Sequence, residues 1–205
     1  MTRRALFFAV VVGYVVSGLH PYRMGTWFFE TVWVGIGLLV VALTRRRFPL
    51  TTLLCVLLAI HAAVLLYGGH YTYARTPLGD ALGLVRNPYD RLGHFMQGFV
   101  PAIAVREVLW RRSPLRGTRW LAPLTVCVCL AISAFWELLE WWGAYLVANG
   151  DPAFLGGQGD PWDTQWDMFL ALVGAVLALV TLGRWHDRQL RSTADASEDG
   201  IGSVA

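Results

Sequence analysis

Charged side chains are scarce in this 205-residue chain, and lysine is absent altogether. Asp, Glu and Arg make up 15% of the residues, whereas soluble domains carry about 25% charged residues. Hydrophobic residues account for 56% of the sequence. This composition excludes an ordinary water-soluble domain and favours a membrane protein.

Cysteine and several functional motifs are also scarce or missing. Cys55, Cys127 and Cys129 lie inside apolar runs without a Cys-x-x-Cys spacing, which excludes a disulfide framework and a zinc ribbon. Neither a phosphate-binding Gly-x-x-x-x-Gly-Lys-Ser/Thr loop nor a Gly-x-Ser-x-Gly nucleophile elbow is present. The 17 basic residues are all arginines that lie mainly between the apolar runs, and no nucleic-acid partner is expected.

Six apolar runs predict membrane-spanning helices. A helix needs about 20 residues to span the hydrocarbon, with a range of about 17 to 25. By this measure the first run is shorter than a full span and the fifth is longer than a span requires. We therefore expect an all-α polytopic transmembrane helix bundle of about six spans, with residues 1–191 as a single domain. The runs cover residues 5–19, 27–43, 50–67, 93–110, 120–146 and 166–183.

Arginines cluster in alternate connections, which predicts the orientation because short arginine-rich loops stay in the cytoplasm. Both termini are then cytoplasmic, in a bacterial inner membrane. Residues 192–205 are polar and acidic, so we expect a disordered cytoplasmic tail. As an alternative, the first run is a cleaved signal peptide. The cytoplasmic set is Arg3, Arg4, Arg45, Arg46, Arg47, Arg111, Arg112, Arg116, Arg119, Arg184, Arg188 and Arg191.

Histidines and carboxylates recur at the opposite, outward ends of the runs. Asp90 and His94 are four residues apart, so a helix places both on one face, where they can bind a metal. The simpler interpretation is that Asp90 caps the helix and His94 packs in the interface. His70 ends the third run at the same level, and Glu30 lies near the outer end of the second.

Two further carboxylate pairs are predicted at that level. Glu137 and Glu140 are three residues apart among tryptophans that are typical of the membrane interface. Asp163 and Asp167 are four apart where the sixth run begins. The simpler interpretations are that the glutamates reach headgroup water and that the aspartates cap their helix.

Together these side chains predict one outward site at which imidazole and carboxylate groups suit Zn, Mn or Fe. We expect His70, Asp90, His94 and Asp167 to be metal ligands, and Glu137, Glu140 and Asp163 to be catalytic. Deeper in the membrane, His61 is interpreted as hydrogen-bonded to a neighbouring helix. Arg106 and Glu107 are interpreted as a local ion pair or, alternatively, Arg106 extends its charged end to the membrane interface.

The same residues resemble the YjdF-like family of uncharacterised bacterial inner-membrane proteins. The resemblance covers nearly the whole membrane part and implies a polytopic membrane protein without a stated activity. It rests on residues 67–74, Arg86-Asn87-Pro88-Tyr89-Asp90-Arg91 through Gly93-His94-Phe95, Arg106-Glu107, Trp136-Glu137 with Glu140, and residues 162–167.

A more distant likeness is to VanZ-like membrane proteins, which are associated with glycopeptide-antibiotic tolerance. Their pattern joins an Asp-basic-x-x-His-Phe segment, here residues 90–95, to a later Glu and a later Asp, here Glu137 and Asp167. The chain departs from that pattern at Glu140, where Gln is common, and at Ala171, where Asn is common. This likeness implies a role in the cell envelope.

Three functions are compatible with these observations. The first is a metal-dependent hydrolase or transferase acting on a lipid or a lipid-linked envelope precursor, because the site lies at headgroup depth. The second is a proton- or cation-coupled transporter, which needs a polar path from the outer cluster through His61 to Glu107. The third is a non-catalytic structural or accessory protein. The expected partners are membrane lipids and a second copy of the chain in a homo-oligomer.

Overall fold

The computed structural model describes residues 2–146 and 158–202, with side chains through residue 193, and the described part is all helical. Each of the six predicted runs forms a helix, which confirms the all-α prediction. A single helical turn, α4, is added between the third and fourth of these. The helices are α1 Arg3–Ser17, α2 Met24–Thr44, α3 Thr52–Tyr71, α4 Pro77–Asp80, α5 Tyr89–Arg112, α6 Leu121–Leu146 and α7 Asp163–Gly202.

Four helices are long and apolar enough to cross a membrane: α2, α3, α6 and the part of α7 from Asp163 to Thr193. Helix α1 has 15 residues, or about 22 Å at 1.5 Å per residue, and is short of a full span. Helix α5 has 24 residues but carries charges at both ends. The count of six spans and the cytoplasmic termini therefore stay predictions. Helix α7 continues to Gly202, into the predicted disordered tail, and that boundary also stays a prediction.

Helices α5 and α7 form the closest pair in the fold, because glycines replace side chains where they cross. A Cβ built on Gly98 would lie 1.8 Å from the Ala171 carbonyl oxygen, and one on Gly174 would lie 2.2 Å from the Phe95 carbonyl oxygen. Small residues permit such backbone contact between membrane helices. This contact sets the first turns of α5 and α7 side by side, and those turns carry the candidate site.

The packed core lies between α3, α5, α6 and α7, whereas α2 exposes most of its apolar surface. Leu43 on α2, for example, is 72% exposed. An apolar helix surface left open in this way is suited to contact with lipid tails. The core side chains are Leu53, Leu54, Leu57, Val100, Ala102, Ile103, Cys129, Ala175 and Ala178.

The connection from α3 to α5 folds against the segment that precedes α7. The Asn87 N–H donates to Gln158 Oε1 at 3.0 Å, and Gln158 Nε2 donates to the Asn87 carbonyl at 3.0 Å. Asn87 is 5% exposed and also receives a hydrogen bond from Thr76 Oγ1. These bonds position Arg86 beside the start of α7.

Candidate functional site

His94 on α5 lies at the centre of a cluster of carboxylates from three helices. Its Nε2 lies 3.7 Å from Asp90 Oδ1 on the same helix and 3.8 Å from Asp167 Oδ2 on α7. Its Nδ1 lies 3.6 Å from Glu137 Oε1 on α6. These distances are too long for hydrogen bonds. The carboxylates therefore surround the imidazole without being bonded to it.

Gln97, one turn along α5, fixes the direction of the imidazole. Gln97 Oε1 lies 3.2 Å from His94 Nδ1 and accepts a hydrogen bond from Nδ1–H, which in the neutral ring selects the tautomer protonated at Nδ1. Nε2 then keeps its lone pair and faces Asp90 and Asp167. In known metal sites, the ring nitrogen that does not bind the metal usually makes such a hydrogen bond.

Two groups of potential metal donors share His94. One joins Asp90, His94 and Asp167, the other joins His94, Glu137 and Glu140, and the donor atoms within each lie within 4.8 Å of one another. Two ligands at about 2.1 Å from one ion can be no more than about 4.2 Å apart. The His94 distances of 3.6 to 3.8 Å are inside that limit. The first group also has the free Nε2 lone pair.

Two buried carboxylate oxygens of the cluster have no hydrogen-bond partner among the described residues, Glu137 Oε1 and Asp167 Oδ1. Asp167 is only 2% exposed and Glu137 only 8%. Two unit charges at 4 Å repel by about 4 kcal/mol at an effective dielectric constant of about 20. Within the described residues no arginine lies at ion-pair distance from Glu137, Glu140 or Asp167. Their charge therefore calls for protons or a bound cation.

Asp163 lies at the rim of the cluster and faces Arg86. The Arg86 guanidinium donates to Asp163 Oδ1, lies 3.4 Å from Asp160 Oδ2 and lies 3.5 Å from Asp90 Oδ2. Arg91 reaches the same Asp160 oxygen at 2.9 Å. One arginine thus connects the starts of α5 and α7 and partly neutralises Asp90 and Asp163.

Glu140 and Glu137 both face other groups of the protein. Trp136 Nε1 donates to Glu140 Oε1 at 2.9 Å, and Glu137, 8% exposed, has its Oε1 3.6 Å from His94 Nδ1. This geometry differs from the interpretation in which the glutamates only reach headgroup water.

His70 lies apart from both donor groups. Its Nδ1 lies 2.8 Å from the Ser17 carbonyl oxygen, and its own carbonyl accepts from the Tyr22 N–H at 2.9 Å. These bonds connect the end of α3 to the α1–α2 connection. The geometry therefore gives His70 a structural contact and does not favour it as a ligand.

Asp90 does not cap α5, because Pro88 occupies the cap position and Asp90 faces His94 from the first turn. The capping interpretation of Asp90 is therefore wrong. At the start of α7, Asp160 accepts from the Trp162 N–H at 2.9 Å, so one aspartate does make a local helix-start contact. Asp163 and Asp167 instead face Arg86 and His94.

A cavity of about 550 Å³ lies beside the cluster, between α2, α3, α5 and α6. Tyr73 lines this cavity, 7% exposed and packed against Gly93. Burial, with Glu30 and Asp90 nearby, raises the pKa of Tyr73 well above its ordinary value, so the phenol stays a neutral O–H donor. Most of the wall is apolar: Trp33, Leu65, Val128, Ala131, Ile132, Phe135, Trp136 and Leu139.

Besides Tyr73, four polar residues line the same cavity: Glu30, His61, His94 and Gln97. The Nε2 atom of His61 is buried and has no hydrogen-bond partner among the described residues. The sequence-based interpretation of His61 is a hydrogen bond to a neighbouring helix, and no such bond is formed among the described residues.

Glu107 and Arg106 belong to a second polar network, at the opposite end of α5. Glu107 accepts from Thr51 Oγ1 at 2.7 Å and from Arg111 Nη1 at 2.9 Å, and lies 3.1 Å from His186 Nε2. Arg106 pairs instead with Asp187 at 2.6 Å. The predicted Arg106–Glu107 ion pair is wrong, because adjacent helix residues point to different neighbours.

Sequence reasoning missed Gln97 and Arg86 as parts of this site. Gln97 follows His94 by three residues, a helical spacing that could have identified it. Arg86 precedes the helix and reaches Asp163 only through the folded 72–88 connection, so spacing alone gives no signal for that contact.

The pattern of a family described as "Predicted membrane protein (DUF2238)" matches residues 2–188. The chain belongs to this family. The inner membrane protein YjdF of Escherichia coli (strain K12) is similar to it, 49% identical over 181 residues that cover 86% of this chain and 87% of that protein. No solved structure matches the chain significantly.

Membership of DUF2238 confirms the sequence-based placement among YjdF-like proteins and the inner-membrane location. Both descriptions state a membrane protein and no reaction. The likeness to VanZ-like proteins stays a prediction from its motif. The activity of this DUF2238 protein therefore has to be inferred from its site.

Proposed function

We propose that the protein is a metal-dependent hydrolase or transferase of the inner membrane, with its site on the outer face. The observation that carries this proposal is the position of His94 between carboxylates at 3.6 to 3.8 Å, two of which have buried oxygens without a partner. Burying an anionic oxygen without a hydrogen-bond partner costs free energy unless a nearby cation neutralises its charge.

The proposed ligands are Asp90, His94 through Nε2, and Asp167. One imidazole with two carboxylates suits Mn, Fe or Zn. A divalent ion bound there would lower the pKa of a coordinated water and so supply a nucleophile at neutral pH. Gln97 would hold the ring orientation, as hydrogen-bonding partners of ligating histidines do.

Glu137 is the proposed general base. Its Oε1 lies near His94 and has no hydrogen-bond partner, so it is placed to accept a proton from an attacking water or hydroxyl. Glu140, held by Trp136, supports its orientation. Asp163 is committed to Arg86, and we propose that this pair positions the start of α7.

The proposed substrate is a lipid or a lipid-linked envelope precursor. The apolar cavity of about 550 Å³ adjoins His94, and its walls come from helices that expose apolar surface. An acyl or polyprenyl chain would fill the apolar part, and its phosphate or ester would then lie beside the carboxylates. We infer the reaction to be attack of a water or substrate hydroxyl on phosphorus or on a carbonyl carbon. Glu137 would take the proton of the nucleophile, and the P–O or C–O ester bond would break to release the leaving alcohol or phosphate, to which that proton can return.

This proposal needs the site to face outward, which follows from six spans with cytoplasmic termini. Helix α5 would be the fourth span despite its charges. Two ion pairs support a membrane-spanning α5, because Arg106 pairs with Asp187 and Glu107 pairs with Arg111. Neither charge would then face lipid without a partner. A homo-oligomer stays a prediction.

A proton- or cation-coupled transporter is the second candidate, favoured by the partnerless Nε2 of His61 in the cavity. Glu107, at the far end of the predicted path, counts against it, because its carboxylate is already bonded to Thr51, Arg111 and His186. A transporter would acidify pyranine-loaded liposomes under a proton gradient, and His61→Ala would abolish that flux.

Two experiments, metal removal and the Glu137→Gln substitution, distinguish the role of the proposed general base from that of the proposed metal ligands. Purified protein in detergent is assayed against a panel of lipid phosphates and esters. We expect chelator treatment to abolish turnover and Mn²⁺ or Zn²⁺ to restore it. Glu137→Gln should lower kcat by about 100-fold or more while metal content stays unchanged, because it removes the base and not a ligand.

His70→Ala is the matched control, since it removes an imidazole that belongs to neither donor group. It should retain both metal and turnover. Turnover that survives chelation, or a Glu137→Gln variant as active as the wild type, would contradict the proposed mechanism. A metal-loaded protein with no turnover across the panel would favour the transporter or the accessory protein.

A further inference from the structure

Four arginines line a second cavity, of about 560 Å³, at the end of the bundle opposite His94. Arg106 on α5 lies twelve residues after His94, or about 18 Å along the helix. The α5–α6 connection supplies Arg116 and Arg119, and α7 supplies Arg191. This cavity is therefore separate from the proposed metal site.

Three of these arginines carry charge that the described residues do not neutralise. Arg106 is occupied by Asp187, the one acidic residue of the lining, at 2.6 Å. Arg116, Arg119 and Arg191 have no ion-pair partner within the described part of the chain. The cavity thus holds a surplus of positive charge.

Local structure orients the α5–α6 connection and holds one of these side chains. Gly117 adopts a positive φ of 74°, and this turn lets both Arg116 and Arg119 line the cavity. The Arg116 guanidinium lies 4.2 Å from the centre of the Trp110 ring. Such stacking reduces the entropy that Arg116 would lose on binding an anion.

The cavity also has an apolar side, formed by Trp110, Leu121 and Ala122. Trp110 and Leu121 belong to a small apolar cluster that contains Leu190. Leu121 begins α6, so the apolar wall continues directly into a candidate span. Arginines beside such a wall match an amphipathic anion, with a phosphate on the charged side and hydrocarbon on the apolar side.

We propose that this cavity binds a phosphate-bearing anion, namely the headgroup of an anionic phospholipid in the leaflet opposite the metal site. Arginine pairs with phosphate in a two-pronged geometry, and basic pockets between membrane helices bind anionic headgroups. This inference does not depend on the proposed enzymatic activity. It gives the α5–α6 connection a lipid ligand that would hold the inner ends of α5, α6 and α7 together.

The test is native mass spectrometry of the full chain in detergent, titrated with dioleoyl phosphatidylglycerol or dioleoyl phosphatidylcholine. We expect the wild type to retain phosphatidylglycerol about tenfold more strongly than phosphatidylcholine. The triple variant Arg116→Gln, Arg119→Gln, Arg191→Gln should lose that preference. The control is Arg45→Gln, Arg46→Gln, Arg47→Gln, which removes the same charge from the α2–α3 connection and should keep the preference.

A further variant and a soluble competitor complete the test. Ala122→Trp keeps every arginine, fills the cavity and should also weaken phosphatidylglycerol binding, which would support the site even if the triple variant fails to fold. Inorganic phosphate that binds alone and displaces the lipid would identify a soluble phosphate as the ligand of the same site. Equal lipid retention by all variants, or equal loss in the control, would overturn the proposal.

Discussion

Gly174→Leu should abolish the folded protein. A Cβ at this position would lie 2.2 Å from the Phe95 carbonyl oxygen, which is backbone and cannot rotate away. Helices α5 and α7 would have to separate, and with them the turns that carry His94 and Asp167. Overpacking of a tight core typically costs about 1 to 3 kcal/mol, and forced backbone separation is at the upper end or beyond. Size-exclusion chromatography and circular dichroism in detergent would measure the loss.

Gly183→Leu is the matched control on the same helix. A Cβ on Gly183 would meet no described atom within 4 Å, so the leucine has room and improves helix propensity. This variant should elute and melt like the wild type. Wild-type behaviour of Gly174→Leu would contradict the close contact between α5 and α7.

His186→Ala should lower the free energy of unfolding by about 1 to 3 kcal/mol, because it takes one buried hydrogen-bond partner from Glu107 and one from Arg106. His186 and Glu107 are both fully buried, with the imidazole Nε2 3.1 Å from Glu107 Oε2 and Nδ1 3.1 Å from Arg106 Nη1. Unfolding by sodium dodecyl sulfate in mixed micelles, followed by tryptophan fluorescence, would give the change in free energy.

Arg184→Ala, two residues away, controls for the loss of a polar side chain from this turn of α7. Arg184 is exposed and lies in no ion pair among the described residues, so its removal should change stability by less than about 0.5 kcal/mol. If His186→Ala were no more destabilising than Arg184→Ala, the network would not hold the C-terminal end of α5 against α7.

The helices and the cluster of carboxylates around His94 could be predicted from the sequence for physical reasons. Long apolar runs leave helices as the spanning structure, and the spacing of Asp90 with His94 and of Asp163 with Asp167 fixes one helix face each. Carboxylates inside apolar runs need a polar partner, and this requirement predicted that Glu137 and Glu140 lie near His94, as they do in the structure. Membrane crossing by α1 and α5 is not settled by length and composition, because α1 is short and α5 is charged.

What the sequence could not predict depends on contacts between distant segments. His70 lies in the last turn of α3, but its ring faces the Ser17 carbonyl and not the carboxylates. Arg106 and Glu107 are adjacent, and adjacent helix residues point about 100° apart, so each found its partner on a different element. Glu107 meets Thr51, and Arg106 meets α7, 81 residues later.

Metal content, measured by plasma mass spectrometry on detergent-purified protein, tests the central claim most directly. The wild type and His70→Ala should carry a near-stoichiometric transition metal, whereas His94→Ala and Asp167→Ala should carry almost none while eluting as folded protein. A wild type that takes up no metal after reloading, or a His94→Ala variant that retains it fully, would contradict a metal site at His94.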